Sequence, residues 1–181
     1  MTDRTKRFEA AALPHLDAAY NLARWLLRDD QNARDVVQEA YLRAFRFFDG
    51  FNGGDARPWL MRIVRNASYS WLHDSGRHAD GVEFDEDKHS QEQVSDSALD
   101  RPNPEQALLQ KIEAARLDAA IEDLPLAFRE VLILREMDEM SYDEIAQVVA
   151  IPVGTVMSRL ARARALLRAA LCQERGETNG R

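Results

Sequence analysis

The sequence predicts an all-α protein built as two small helical domains joined by a flexible acidic linker. Apolar residues recur at spacings of three and four from end to end, whereas period-2 alternation is nearly absent. The stretch 76–103 is acidic, poor in large apolar residues and without period. A length of 181 residues suits one ordinary domain or two small ones, and that aperiodic stretch decides for two. The expected boundaries are a first domain over 1–75, the linker over 76–103, a second domain over 104–175 and a disordered tail over 176–181.

In chain order, a first helix is expected from about Arg7 to Leu27, with Phe8, Leu16, Tyr20, Ala23 and Leu27 on one broad face. Asn32 suits an N-cap, and beyond it Val36, Val37, Ala40, Tyr41, Ala44 and Phe48 repeat at helical spacing. The pattern breaks over Asp49–Asp55, where three glycines in five positions favour a mobile turn. A third helix starts near Pro58, a residue suited to a first helical position, and continues to about His73. The linker carries eight acids against three bases and too little apolar surface to offset the entropy of ordering it.

Helical structure restarts at Asn103-Pro104-Glu105, a cap followed by a first-turn proline and acid. Asp123-Leu124-Pro125 opens the next helix, whose Phe128, Val131, Leu132 and Arg135 form a mostly apolar stripe ending near Met137. Ser141 and Glu144 make a capping-box pattern that starts a short helix. Ile151-Pro152 interrupts it, and a last helix runs from Pro152 to about Leu171.

Bulk properties exclude several classes. No run of about 18 apolar residues occurs, and the N-terminus is charged where a signal peptide needs an apolar stretch, so a cytoplasmic protein without membrane insertion is expected. The single cysteine, Cys172, has neither a disulfide partner nor a Cys-x-x-Cys neighbour. Four scattered histidines (His15, His73, His78, His89) form no His-x-x-x-His pair, and neither a nucleophile elbow nor a phosphate-binding glycine loop is present. No enzymatic activity, cofactor or metal is therefore expected. A net charge of −7 looks wrong for a nucleic-acid binder, yet residues 153–168 hold four arginines and no acid. Because screening acts over about 8 Å, that local charge is what a phosphate feels.

Residues 141–167, SYDEIAQVVAIPVGTVMSRLARARALL, read as a helix, a tight turn and a second helix. Ala146 is small where the helices would cross, and Ile145, Val149, Ile151, Val156 and Leu160 can share one core. The last helix places Val156, Leu160, Ala163 and Leu167 inward and Thr155, Ser158, Arg159 and Arg162 outward, a face of hydroxyls and arginines suited to a major groove. Ser158, Arg159 and Arg162 are the candidates for base edges, while Arg164 and Arg168 are placed for phosphates or solvent. In the N-terminal half, Asp35, Gln38 and Glu39 lie at i, i+3 and i+4 and form one polar acidic patch.

With these motifs in view, the sequence resembles the sigma-70 family of RNA polymerase sigma factors, extracytoplasmic-function group. The block LPLAFREVLILREMDEMSYDEIAQVVAIPVGTVMSRLARARALL looks like sigma region 4, and ARDVVQEAYLRAFRFFDGFNGGDARPWLMRIVRNASYSWL looks like region 2. The motifs IPVGTV-x-SRL-x-RAR and D-x-x-Q-E are specific as a pair. The resemblance implies that region 4 reads the −35 promoter element through Thr155, Ser158, Arg159, Arg162 and Arg164. It implies that Asp35, Gln38 and Glu39 contact the clamp helices of core RNA polymerase. It assigns capture and opening of the −10 element to the glycine-rich loop and the helix after it, with Arg57, Arg62, Arg65, Asn66 and Tyr69 as contacts; extruded bases need flexible, positively charged and aromatic surfaces. Trp59, Ile63 and Trp71 are expected to pack in the core, as large apolar residues on helices usually do.

The resemblance further implies an anti-sigma protein as a partner, and a tether that passes near the polymerase active-site channel. Ala150 departs from the family pattern, standing where glycine is usual at the bend. So do Ser70, His73 and Asp74, which stand where acidic and then basic residues are commoner, and Met157 is at a variable recognition position. A stand-alone helix-turn-helix regulator would explain the C-terminal half equally well, but its N-terminal domain should carry a ligand pocket or phospho-acceptor site instead of D-x-x-Q-E and a basic, aromatic helix. A purely protein-binding adaptor would leave the arginine face without a task.

Overall fold

Proline, aspartate and apolar positions spaced by three and four divide the N-terminal half into four helices. The computed structural model describes residues 3–76 and 104–178, with side chains over 3–76 and 107–172, so the linker expected at 76–103 lies, Gly76 apart, outside the described residues. Helix α1 (Asp3–Ala12) and helix α2 (Leu16–Leu27) replace the single helix expected there. Pro14, which has no N–H to donate, sits between them in a 3-10 turn over Leu13–His15. Helix α3 (Asp30–Phe47) begins earlier than expected because Asp29, not Asn32, is its N-cap: the Asp29 carboxylate accepts from the Asn32 N–H at 2.8 Å. Asp55 caps helix α4 (Ala56–Asp74) in the same way through the Arg57 N–H at 2.9 Å, and Pro58 falls within its first turn.

Helices α2, α3 and α4 pack on one another through Leu22, Leu26, Val36, Ala40, Met61 and Val64, all buried. A second cluster lies under α1, where Phe8 meets Phe45 and Phe48 edge-on at 5.2 and 5.3 Å. Trp59 and Ile63 pack against this cluster and Trp71 against the main core, as the sequence predicts.

The C-terminal half forms helix α5 (Pro104–Glu122), helix α6 (Leu126–Glu136), helix α7 (Tyr142–Val149) and helix α8 (Val153–Thr178). The capping box is present: Glu144 N–H donates to Ser141 Oγ at 3.2 Å and Ser141 N–H to the Glu144 carboxylate at 2.6 Å. Helix α8 continues past Leu171, its expected end, since no proline follows to stop it. No single helix among the described residues is long and apolar enough to cross a membrane.

The two halves lie against each other, α2 on α6 and α4 on α7, and one buried core runs through both. Arg129 of α6 is central to this contact. Buried to 6% exposure, its guanidinium donates to the carbonyls of Trp25 at 3.0 Å and Leu124 at 2.8 Å, and also to that of Glu122. The Trp25 and Glu122 carbonyls belong to the last turns of α2 and α5, which have no partners within their own helices. A cation there also opposes the negative ends of two helix dipoles. Burial lowers the Arg129 pKa to about 10, which still leaves it protonated at neutral pH.

Candidate nucleic-acid interface

Helices α7 and α8 form the expected helix-turn-helix. Ile145, Val149, Val156, Leu160 and Ala163 are buried between them and α6, with Ile151 and Leu167 partly buried at the edge. The turn depends on Ala150, whose φ of 59° and ψ of 47° are left-handed and whose N–H donates to the Ala146 carbonyl. The Pro152 carbonyl then accepts from Thr155 N–H at 3.0 Å and Val156 N–H at 3.1 Å, which starts α8.

Ser158 and Arg162 are exposed on the outward face of α8, while Thr155 is half-buried and accepts through its carbonyl from Ser158 Oγ at 3.1 Å. Met157, 53% exposed, stands on the same face. Two of the other arginines are engaged within the protein. Arg164 bonds the Glu136 carboxylate through Nε at 3.0 Å, and Arg159 lies 3.5 Å from the carboxylate of Glu130. Arg168 is exposed.

Glu130 is the residue the sequence reading missed. It is wholly buried, and it gathers side chains from both halves. Arg65 of α4 grips its two carboxylate oxygens, Nε to Oε2 at 2.7 Å and Nη2 to Oε1 at 3.2 Å, and Tyr69 Oη donates to Oε2 at 2.9 Å. The Arg65 guanidinium also lies 4.1 Å from the centre of the Tyr69 ring. Burial works against the charge of Arg65, but the bond and charge of Glu130 outweigh it and its pKa rises. Burial, seconded by the charge of Glu130, likewise pushes the Tyr69 hydroxyl up.

Of the five α4 candidates, Arg62 and Asn66 are exposed, whereas Arg57, Arg65 and Tyr69 turn towards the C-terminal half. Arg57 donates to the backbone carbonyl of Asp138. The side chain of Asp138 is itself buried, which raises its pKa to about 6 against the opposing effects of Asn21 and Arg57.

On α3, Asp35, Gln38 and Glu39 are all exposed, as expected for one shared face. Asp35 accepts from the Gln31 amide at 3.2 Å and Glu39 pairs with Arg43 at 3.1 Å. Beside Gln38 an open apolar groove of about 690 Å³ runs between α1, α2 and α3, lined among others by Leu13, Leu16, Tyr20, Val37 and Leu42. Leu13, Leu16 and Leu42 are 53, 42 and 55% exposed, unusual for leucine in three adjoining elements. Leu42, four residues after Gln38, was a sequence signal for this groove.

The family model for Sigma-70 region 2 matches residues 12–78, and that for Sigma-70, region 4 matches residues 114–167. The chain is 34% identical over 174 residues to the RNA polymerase sigma-H factor of Pseudomonas aeruginosa, covering 92% of this chain and 86% of that one. It is 37% identical over 131 residues to the ECF RNA polymerase sigma-E factor of Escherichia coli K12, covering 72% of this chain and 69% of that one. The chain belongs to the sigma-70 family, in its extracytoplasmic-function group. As a sigma factor it directs promoter-specific transcription. It is also similar to the solved sigma factor RpoE from Bartonella quintana, in complex with the anti-sigma factor NepR. There the TM-score is 0.72 at 29% identity, over 92% of this chain and 97% of the other. In this sigma factor α2–α4 fall in the region 2 match and α6–α7 in the region 4 match, so Glu130 joins region 4 to region 2.

Proposed function

We propose that this sigma factor docks on core RNA polymerase through Asp35, Gln38 and Glu39 together with the apolar groove beside them. Region 2 then captures and opens the −10 element with Arg57, Arg62, Arg65, Asn66 and Tyr69, and region 4 inserts α8 into the major groove of the −35 element. The observation that carries the reading is the outward face of α8, where Ser158 and Arg162 stand exposed on a helix fixed from behind by buried Val156, Leu160 and Ala163. Arginine suits guanine edges and phosphates, and a hydroxyl suits either kind of contact. The groove supports the docking role because it joins an apolar surface to an acidic patch on a single face, the composition of a specific protein interface.

The domain division at 1–75, 76–103 and 104–175 follows the same reading, with the tether carrying the two regions to promoter elements that lie apart. An anti-sigma protein is the proposed antagonist, supported by the similarity to a sigma factor solved with one. The site of action is then the cytoplasm, where polymerase and promoters are. Transcription reconstituted from the full chain, purified core polymerase and a genomic library tests the proposal. Start sites sharing two spaced sequence elements are expected, and no transcription above core polymerase alone would overturn it.

A further inference from the structure

Glu130 occupies a place that a nucleic acid would need. The residues it holds are Arg65 and Tyr69 of region 2 and Arg159 of region 4, three of the residues assigned above to DNA. Arg65 grips it in the two-point fashion with which guanidinium binds carboxylates and phosphates alike. Tyr69, stacked by Arg65, loses its hydroxyl and part of its ring face to the same contact. Arg57 is drawn in alongside, onto the Asp138 carbonyl.

We infer that the region 2 face carrying Arg57, Arg65 and Tyr69 is one binding site with two alternative occupants, the Glu130 carboxylate of region 4 and a single strand of DNA. The packed arrangement is then a self-masked state of the sigma factor, in which one carboxylate takes the place of phosphate for arginines of both regions. This rests on the function proposed above and adds to it that the free protein engages a melted strand only weakly while region 4 is packed on region 2. A strand can bind only the fraction of molecules in which region 4 has moved away, so its apparent affinity is reduced by that fraction. Besides Glu130, the packing is held by Arg28, which donates to the Glu122 carbonyl and lies 3.7 Å from the Asp123 carboxylate, neither of them a residue assigned to DNA.

The test uses the full chain and a fluorescein-labelled single-stranded deoxyoligonucleotide of mixed sequence, followed by anisotropy. Two variants loosen the packing. Glu130→Gln removes the competing charge, and Arg28→Gly removes a separate interdomain contact while suiting the left-handed backbone at that position (φ 57°). Should Glu130→Gln fail to fold, Arg28→Gly decides alone, with far-ultraviolet circular dichroism as the check on folding. A third chain, Asn21→Cys with Met137→Cys in a Cys172→Ser background, closes the halves through a short bifunctional methanethiosulfonate that forms a disulfide with each cysteine, at a place where the ends of the two native side chains approach to 3.8 Å. Binding tighter by about tenfold is expected for the loosened variants, with weak binding by the closed chain that recovers on reduction. Equal binding by closed and reduced chains, together with no gain from Arg28→Gly, would overturn the inference. Transcription with core polymerase is read in parallel on the unmodified chain. Activity there with unchanged oligonucleotide binding removes only the masking, whereas absence of both removes the function on which it rests.

Discussion

Ala150 takes a left-handed backbone at the bend of the helix-turn-helix while exposing its methyl group to solvent. A β-carbon costs about 1 kcal/mol in that conformation and here gains no buried contact in return. Ala150→Gly should therefore raise stability by about 0.5–1 kcal/mol, seen as a higher urea midpoint at unchanged slope. Arg162 is the exposed arginine on the first turns of α8, so Arg162→Ala should weaken binding of the holoenzyme to duplex promoters by about 1–3 kcal/mol if it grips a base edge. Equal footprints for variant and parent would reassign it to solvent. At this scale the sequence was readable wherever the cause is local: Ser141 and Glu144, three residues apart, announce their own capping box. Glu130 was not readable. It looks like an ordinary charge interrupting an apolar stripe, and its partner Arg65 lies 65 positions away.

Helices were legible where a strong stop or start stands alone, as at Pro125, Pro152 and Ser141, and less so where two signals compete. Asp29 and Asn32 are both good caps, and the structure uses the one whose carboxylate reaches three residues forward. Pro14 was hidden by an apolar period that continues across it from α1 into α2. The ends of α2 and α5 illustrate what periodicity cannot show, since both depend on the guanidinium of Arg129 from a different helix. Arg129→Met keeps much of the side-chain volume but leaves buried carbonyls of Trp25 and Leu124 without a donor. A loss on the order of 2–4 kcal/mol in unfolding free energy is expected, partly offset because Arg129 Nε is itself buried without a partner. Urea denaturation measures it, and a loss under about 0.5 kcal/mol would mean that the helix ends find water instead.

Across the whole molecule, the class and the two regions were legible, but their packing against each other was not, because contacts between residues far apart in sequence leave no periodic trace. Asp138 gives that contact a pH dependence. It is 7% exposed, faces Asn21 and Arg57, and has its pKa raised from 3.8 to about 6, chiefly by burial. The folded state thus binds a proton that the unfolded chain releases between about pH 4 and 6, so this group's contribution favours folding on the acid side and declines as pH rises through that window. The decline should amount to about 1–3 kcal/mol, and Asp138→Asn should flatten it; identical pH profiles for the two chains would exclude Asp138 as the source. The groove beside Gln38 draws on Leu16 and Tyr20 of α2, whereas the join with region 4 draws on Trp25, on another side of the same helix, and on Arg28 just past its end. Under the docking and masking proposed above, a molecule still folded shut can land on its enzyme first and unclasp afterwards, which makes capture and release successive events instead of rival ones.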